Sequence, residues 1–87
     1  MRQLDQRFSL GPCIGRGGVG EVYQGWQQAL DRPVAIKLLR PELTRNPGAV
    51  ARFEREARTT SLLSHPNVVT VFDVGEADDG HRFVVME

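Results

Sequence analysis

Three groups of residues have types and spacings suited to chemistry. The first is the run Gly15-Arg16-Gly17-Gly18-Val19-Gly20, with Val22 just beyond it, in the pattern Gly-x-Gly-x-x-Gly-x-Val. Glycine is needed where backbone amides approach phosphate oxygens with no side chain in the way, so the run is a candidate anion cradle; a Gly-rich hairpin turn without a ligand also accounts for it. The second is Lys37, in Val34-Ala35-Ile36-Lys37. Strand alternation puts Ala35, Lys37 and Leu39 on one face and Val34, Ile36 and Leu38 on the other. Such a lysine is either solvated on a half-exposed sheet or aimed at a phosphate beneath the glycines, with Ala35 small enough to admit a flat ring. The third is Glu56, which follows Phe53 by three residues on a helical pattern and lies close to its apolar stripe. A carboxylate turned toward a sheet needs a cation: Lys37 supplies one, and Arg52 or Arg55 along the helix surface is the alternative.

These groups need elements to hold them. Phe8 to Ile14, Glu21 to Gln27 and Pro33 to Leu39 read as strands, punctuated by Gly11-Pro12, the glycine run and Leu30-Asp31-Arg32-Pro33, and short loops predict an antiparallel meander. Asn46-Pro47 is a helix start, and helix formers continue to about Ser64 with a stripe at Val50, Phe53, Ala57 and Leu63. His65-Pro66-Asn67 ends it. Val68 to Glu76 and Arg82 to Glu87 read as two further strands around an Asp79-Gly80 hairpin turn. This context separates the glycine run from two other phosphate motifs. No Lys-Ser/Thr pair follows Gly20, and a strand rather than a helix follows the glycines, so neither a Walker A loop nor a dinucleotide fingerprint fits.

Composition bounds the rest. Eighty-seven residues, 40% hydrophobic and 25% charged, make at most one small globular domain and not a disordered chain. Eleven basic and eleven acidic residues cancel, so no global positive field gathers nucleic acid or anionic lipid, and any anion site is local. One cysteine, Cys13, excludes an internal disulfide and a Cys-rich zinc site; with no apolar leader or spanning stretch, this predicts a cytoplasmic chain outside the membrane.

In their order and spacing, Gly-x-Gly-x-x-Gly-x-Val, Val-Ala-Ile-Lys and the acidic helix resemble the N-terminal lobe of a protein kinase. Phe53-Glu54-Arg55-Glu56-Ala57 and the stretch from His65-Pro66-Asn67 to Gly75-Glu76 are most similar to bacterial eukaryotic-type Ser/Thr kinases. The resemblance covers residues 8 to 87. It implies an α+β fold, a twisted five-stranded antiparallel sheet with one main helix, and the ATP-binding part of an enzyme that phosphorylates protein Ser/Thr. By this resemblance the loop Gly15, Arg16, Gly17, Gly18, Val19, Gly20 covers the nucleotide phosphates, while Ile14, Val22 and Ala35 roof the adenine. Lys37 contacts the α and β phosphates and Glu56 holds Lys37 by an ion pair. Met86 stands at the back of the adenine site, and Glu87 is the first hinge residue, whose carbonyl accepts from the adenine amino group. Val19 departs from the family, where an aromatic residue is common at the loop tip, which bears on turnover more than on binding.

The family's His-Arg-Asp and Asp-Phe-Gly segments do not occur in this sequence, so no catalytic base or metal ligand is assigned, and Mg2+ ligands are expected in the C-terminal lobe. The 87 residues alone are expected to bind ATP weakly and not to transfer phosphate. Expected partners are ATP, a protein substrate or the C-terminal lobe. Without that lobe, the inner face around Glu56, Thr60 and Val71 meets water and predicts self-association. The alternative is a lobe-only interaction module without catalysis.

Overall fold

The structure is a computed structural model that describes residues 2–17, 20–62, 70–77 and 80–87. Its strands are β1 (Arg2–Gln3), β2 (Phe8–Arg16), β3 (Gly20–Gln27), β4 (Arg32–Leu39), β5 (Val71–Glu76) and β6 (Arg82–Met86). They form one sheet in the order β1-β2-β3-β4-β6-β5, with every neighbouring pair antiparallel. The helix α1 (Pro47–Leu62) follows β4 after a short 3-10 turn at Pro41–Leu43. This is the expected α+β fold, with its five strands and one main helix. The two-residue β1 is an addition, and it forms because Asp5 Oδ1 accepts the amides of Arg7 at 2.8 Å and Phe8 at 3.1 Å, turning the chain back on itself.

The β3–β4 hairpin pairs without interruption from Gly20 with Leu39 to Gln27 with Arg32. Asp31 closes it with φ of 49°, in the left-handed region that Asp tolerates, and its carboxylate takes the Trp26 Nε1–H at 3.1 Å. β2 is less regular. Gly11-Pro12 does not end the strand; the register shifts there and again at Ile14, so two bulges bend β2 on its way to the glycine run. At the start of α1, Asn46 caps as expected: its Oδ1 accepts the Ala49 amide at 3.1 Å and its carbonyl accepts the Val50 amide at 3.0 Å. The expected loop tip at Gly18-Val19, the stripe residue Leu63, the helix end at His65-Pro66-Asn67, the strand start at Val68 and the turn residues Asp78-Asp79 lie outside the described residues. So does the side chain of Thr60.

Alternation along β4 sorts the core as the sequence predicts. Val34, Ile36 and Leu38 join Leu4, Phe8, Leu10, Ala77, Phe83 and Val85 in one buried cluster. Leu39 lies on the opposite face, in a second cluster with Val84 and the helix residues Phe53 and Ala57, bordered by Val50, Val71 and Met86. The helix stripe is therefore seated on the face that carries Lys37.

Candidate functional site

Residues directly opposite each other in a sheet share a face, so the register shows what stands beside Lys37. Gly15, Val22, Lys37 and Val84 form one row across β2, β3, β4 and β6. Ala35, Met86 and Val71 belong to the neighbouring row, in β4, β6 and β5. Thus Gly15, Val22, Ala35, Lys37 and Met86, singled out separately along the sequence, come together on a single surface.

A cavity of about 120 Å³ opens on that surface. Lys37 and Met86 line it from the sheet with Val71 and Val84, and Phe53, Glu56 and Ala57 line it from α1. The glycine hairpin stands at its edge. A Cβ on Gly20 would collide with the Leu38 carbonyl, so the close approach of β4 requires this glycine; the same position lies in ordinary contact, 3.6 Å, with Lys37 Cε. Gly15 and Gly17 differ: a Cβ at Gly15 meets nothing within 4 Å, and one at Gly17 meets only the Gly20 carbonyl at 3.8 Å.

Lys37 and Glu56 share the cavity without touching. Among the described residues no ion pair joins them, and none joins Glu56 to Arg52. The neighbouring carboxylate is engaged instead: Glu54 accepts from Arg82 of β6 at 2.8 Å and lies 3.9 Å from Arg58. Arg82 also reaches Glu76 of β5 at 3.4 Å. The helix is thus tied to the sheet through Glu54, and Glu56 is left at the cavity mouth.

Ile14, Arg16 and Glu87, also selected from the sequence, do not line the cavity. Ile14, re-aimed by its bulge, is 58% exposed. Arg16 is exposed and pairs with Glu21 at 3.2 Å; a hydrogen bond with Cys13 and then the Glu21 charge hold its guanidinium above the ordinary value. Glu87 is exposed, and its amide donates to the Thr70 carbonyl at 3.0 Å. Two participants were not selected from the sequence. Val84 is one, although the alternation of Arg82 to Met86 places it beside Met86. The other is Arg40, whose Nη2 donates to the Gly17 carbonyl at 2.9 Å, a contact over 23 residues that no local pattern signals.

Comparison with known proteins agrees with this geometry. A probable serine/threonine-protein kinase of Streptomyces coelicolor is 49% identical over 75 residues, which is 86% of this chain and 11% of that protein. The serine/threonine-protein kinase pkn3 of Myxococcus xanthus is 43% identical over 86 residues, 99% of this chain and 16% of the other. PknB of Mycobacterium leprae, a serine/threonine-protein kinase, is 41% identical over 87 residues, 97% of this chain and 14% of its own. The chain thus spans 11 to 16% of the length of these relatives. Among solved structures, the Mycobacterium tuberculosis PknI kinase domain superposes with a TM-score of 0.72 at 28% identity, covering 95% of this chain and 33% of that one. The apo form of PpkA-294 superposes with a TM-score of 0.76 at 27% identity, covering 94% and 35%. With the protein kinase domain matching residues 8–87, on a sheet and helix that bring Lys37 and Glu56 to one cavity with Gly20 of the glycine hairpin beside the lysine stem, the chain belongs to the protein kinase family.

Proposed function

We propose that this chain is the ATP-binding part of a cytoplasmic serine/threonine protein kinase, which moves the γ-phosphate of ATP to a protein hydroxyl. The observation that carries the reading is the course of Lys37, whose stem passes Gly20 at the base of the glycine hairpin while the residue lines a cavity shared with Glu56 and Met86. In this reading the amides of the 15–20 loop and the Lys37 ammonium hold the phosphates. Ile14, Val22 and Ala35 cover the adenine, Met86 backs it, and the Glu87 carbonyl accepts from its amino group. Glu56 orders Lys37 once the helix closes the gap between them.

Two features support a flat, anionic ligand. Gly15 and Gly17 have neither a positive φ nor a crowded Cβ position, so packing among the described residues does not require glycine there, whereas close approach of phosphate to backbone does. Ile14 exposes an apolar side chain that an adenine ring would bury. ATP enters such sites with magnesium. Of the cavity residues only Glu56 is a carboxylate, short of the oxygen set that the ion takes, so no step is assigned to the metal. Transfer also needs a base for the hydroxyl proton, and no His-Arg-Asp segment is present in the sequence. These 87 residues are expected to bind nucleotide weakly and not to transfer phosphate.

Thermal unfolding with and without Mg-ATP tests the reading. A ligand present at its Kd stabilises the folded state by about 0.4 kcal/mol, a rise in Tm of roughly 2 to 3 °C for a domain of this size. The rise is expected for the native chain and absent in Lys37→Met. A native chain that unfolds cooperatively at the same temperature with saturating Mg-ATP would count against a nucleotide site. We also expect copies of the isolated chain to meet through the cavity face, and a monomeric mass in light scattering at high micromolar concentration would count against that.

A further inference from the structure

We propose that Arg40 is a positioning residue for the glycine hairpin, holding the Gly17 carbonyl and so fixing the height of the loop above the phosphates; this rests on the nucleotide reading above. Gly17 has no side chain to anchor it. Its position depends on two hydrogen bonds: its amide donates to the Gly20 carbonyl at 2.8 Å, and its carbonyl accepts from Arg40 Nη2 at 2.9 Å. The first closes the hairpin on itself. The second ties the hairpin to a different part of the chain.

The far end of this tether is well fixed. Arg40 follows Leu39, which pairs with Gly20 and is fully buried. Its backbone is extended, with φ of −56° and ψ of 137°, as a residue before proline must be, and Pro41 is that proline. The Arg40 carbonyl accepts the Leu43 amide at 2.9 Å, which starts the 3-10 turn. Glu42 Oε1 stands 3.9 Å from Nη1. The planar fork therefore leaves an anchored backbone and spends one donor on Gly17. Arg16, which lies within the hairpin itself, is directed to Glu21 instead.

A loop already held over its ligand binds with less ordering than a loose one. The gain applies only to ligands that reach under the hairpin, so it falls on phosphates and not on the adenine face. Replacing Arg40 by alanine is expected to weaken Mg-ATP binding roughly three- to tenfold, the range one such hydrogen bond spans. Adenosine binding is expected to change less than twofold, by the same locality of the contact. Arg40→Lys keeps a charged donor and is expected to recover part of the ATP affinity.

Hydrogen exchange on the ligand-free chain tests the tether without any nucleotide. Arg40→Ala is expected to speed exchange at amides 15–17 and 20–22 while leaving the β6 amides 82–86 protected, which shows that the sheet still folds. Titrations of the native chain, Arg40→Ala and Arg40→Lys with Mg-ATP and with adenosine then read the phosphate dependence. Unchanged hairpin exchange, or equal loss of ATP and adenosine affinity, overturns the proposal. A native chain that binds neither ligand overturns the nucleotide reading and with it the phosphate role, while faster exchange in Arg40→Ala would still establish the tether itself.

Discussion

The two faces of the sheet share the same strands and differ in how they are closed. On one, nine buried side chains form a sealed cluster, with Phe8 and Phe83 meeting edge to face at 5.9 Å. Arg7 lies over both rings at 5.3 and 5.6 Å and is held there by Asp5 at 3.0 Å and Asp73 at 2.9 Å. On the other, four buried residues seat the helix, and a cavity with a lysine and a glutamate opens beside them. Aromatic packing and cation–π contacts stabilise the first face. The second keeps ionisable groups in contact with water, as the proposed nucleotide site would require. Stability is concentrated on one side of a single sheet and the candidate chemistry on the other.

The largest test of this division is Phe83→Ala. Removing a fully buried phenylalanine costs about 3 to 5 kcal/mol, enough to unfold many domains of this length, and denaturant titration followed by circular dichroism reads it. Met86→Ala on the open face is expected to cost about 1 kcal/mol, because a half-buried side chain loses only part of its transfer energy. Equal losses for the two would erase the contrast. Gly25 sharpens it at smaller scale: a Cβ there meets Ile36 Cδ1 at 2.5 Å and the Ser9 carbonyl at 2.9 Å, so Gly25→Ala is expected to lower stability by about 1 to 3 kcal/mol. Asn46→Ala removes the cap of α1 and is expected to cost about 1 kcal/mol in the same titration. Gly15→Ala has the smallest effect on folding, within about 0.5 kcal/mol, and is expected to abolish the thermal shift produced by Mg-ATP. A Gly15→Ala chain that keeps that shift would show that the space above Gly15 is not used by the ligand.

Much of this architecture is readable from local signals. The alternation of residues 33–39 predicts which β4 side chains enter each core cluster, and Asn46-Pro47 marks the helix start because capping is settled within four residues. The features that local patterns miss are set by partners far away in sequence. β4 pairs with β6 rather than β5, and the bulges at Gly11-Pro12 and Ile14 exist only relative to β3. Gly11-Pro12 has the composition of a turn and is accommodated within a strand. The candidate site divides in the same way. Its residues are legible as motifs and their shared face follows from the register, yet the open gap between Lys37 and Glu56 depends on how α1 is seated, which Glu54 and Arg82 help to set across 28 residues.

Arg82 stands between a helix carboxylate and a strand carboxylate, Glu54 and Glu76, with all three side chains about a third to a half exposed. Such pairs weaken as dissolved ions screen them, over a length of about 8 Å at physiological ionic strength, whereas apolar burial does not. The seat of the helix is therefore a salt-sensitive joint of the molecule. Raising sodium chloride is expected to speed hydrogen exchange in α1 before β6, and equal rates at every concentration would show that apolar contacts alone hold the helix. Because Glu56 rides on the same helix, the ionic medium reaches the mouth of the cavity through the Arg82–Glu54 contact.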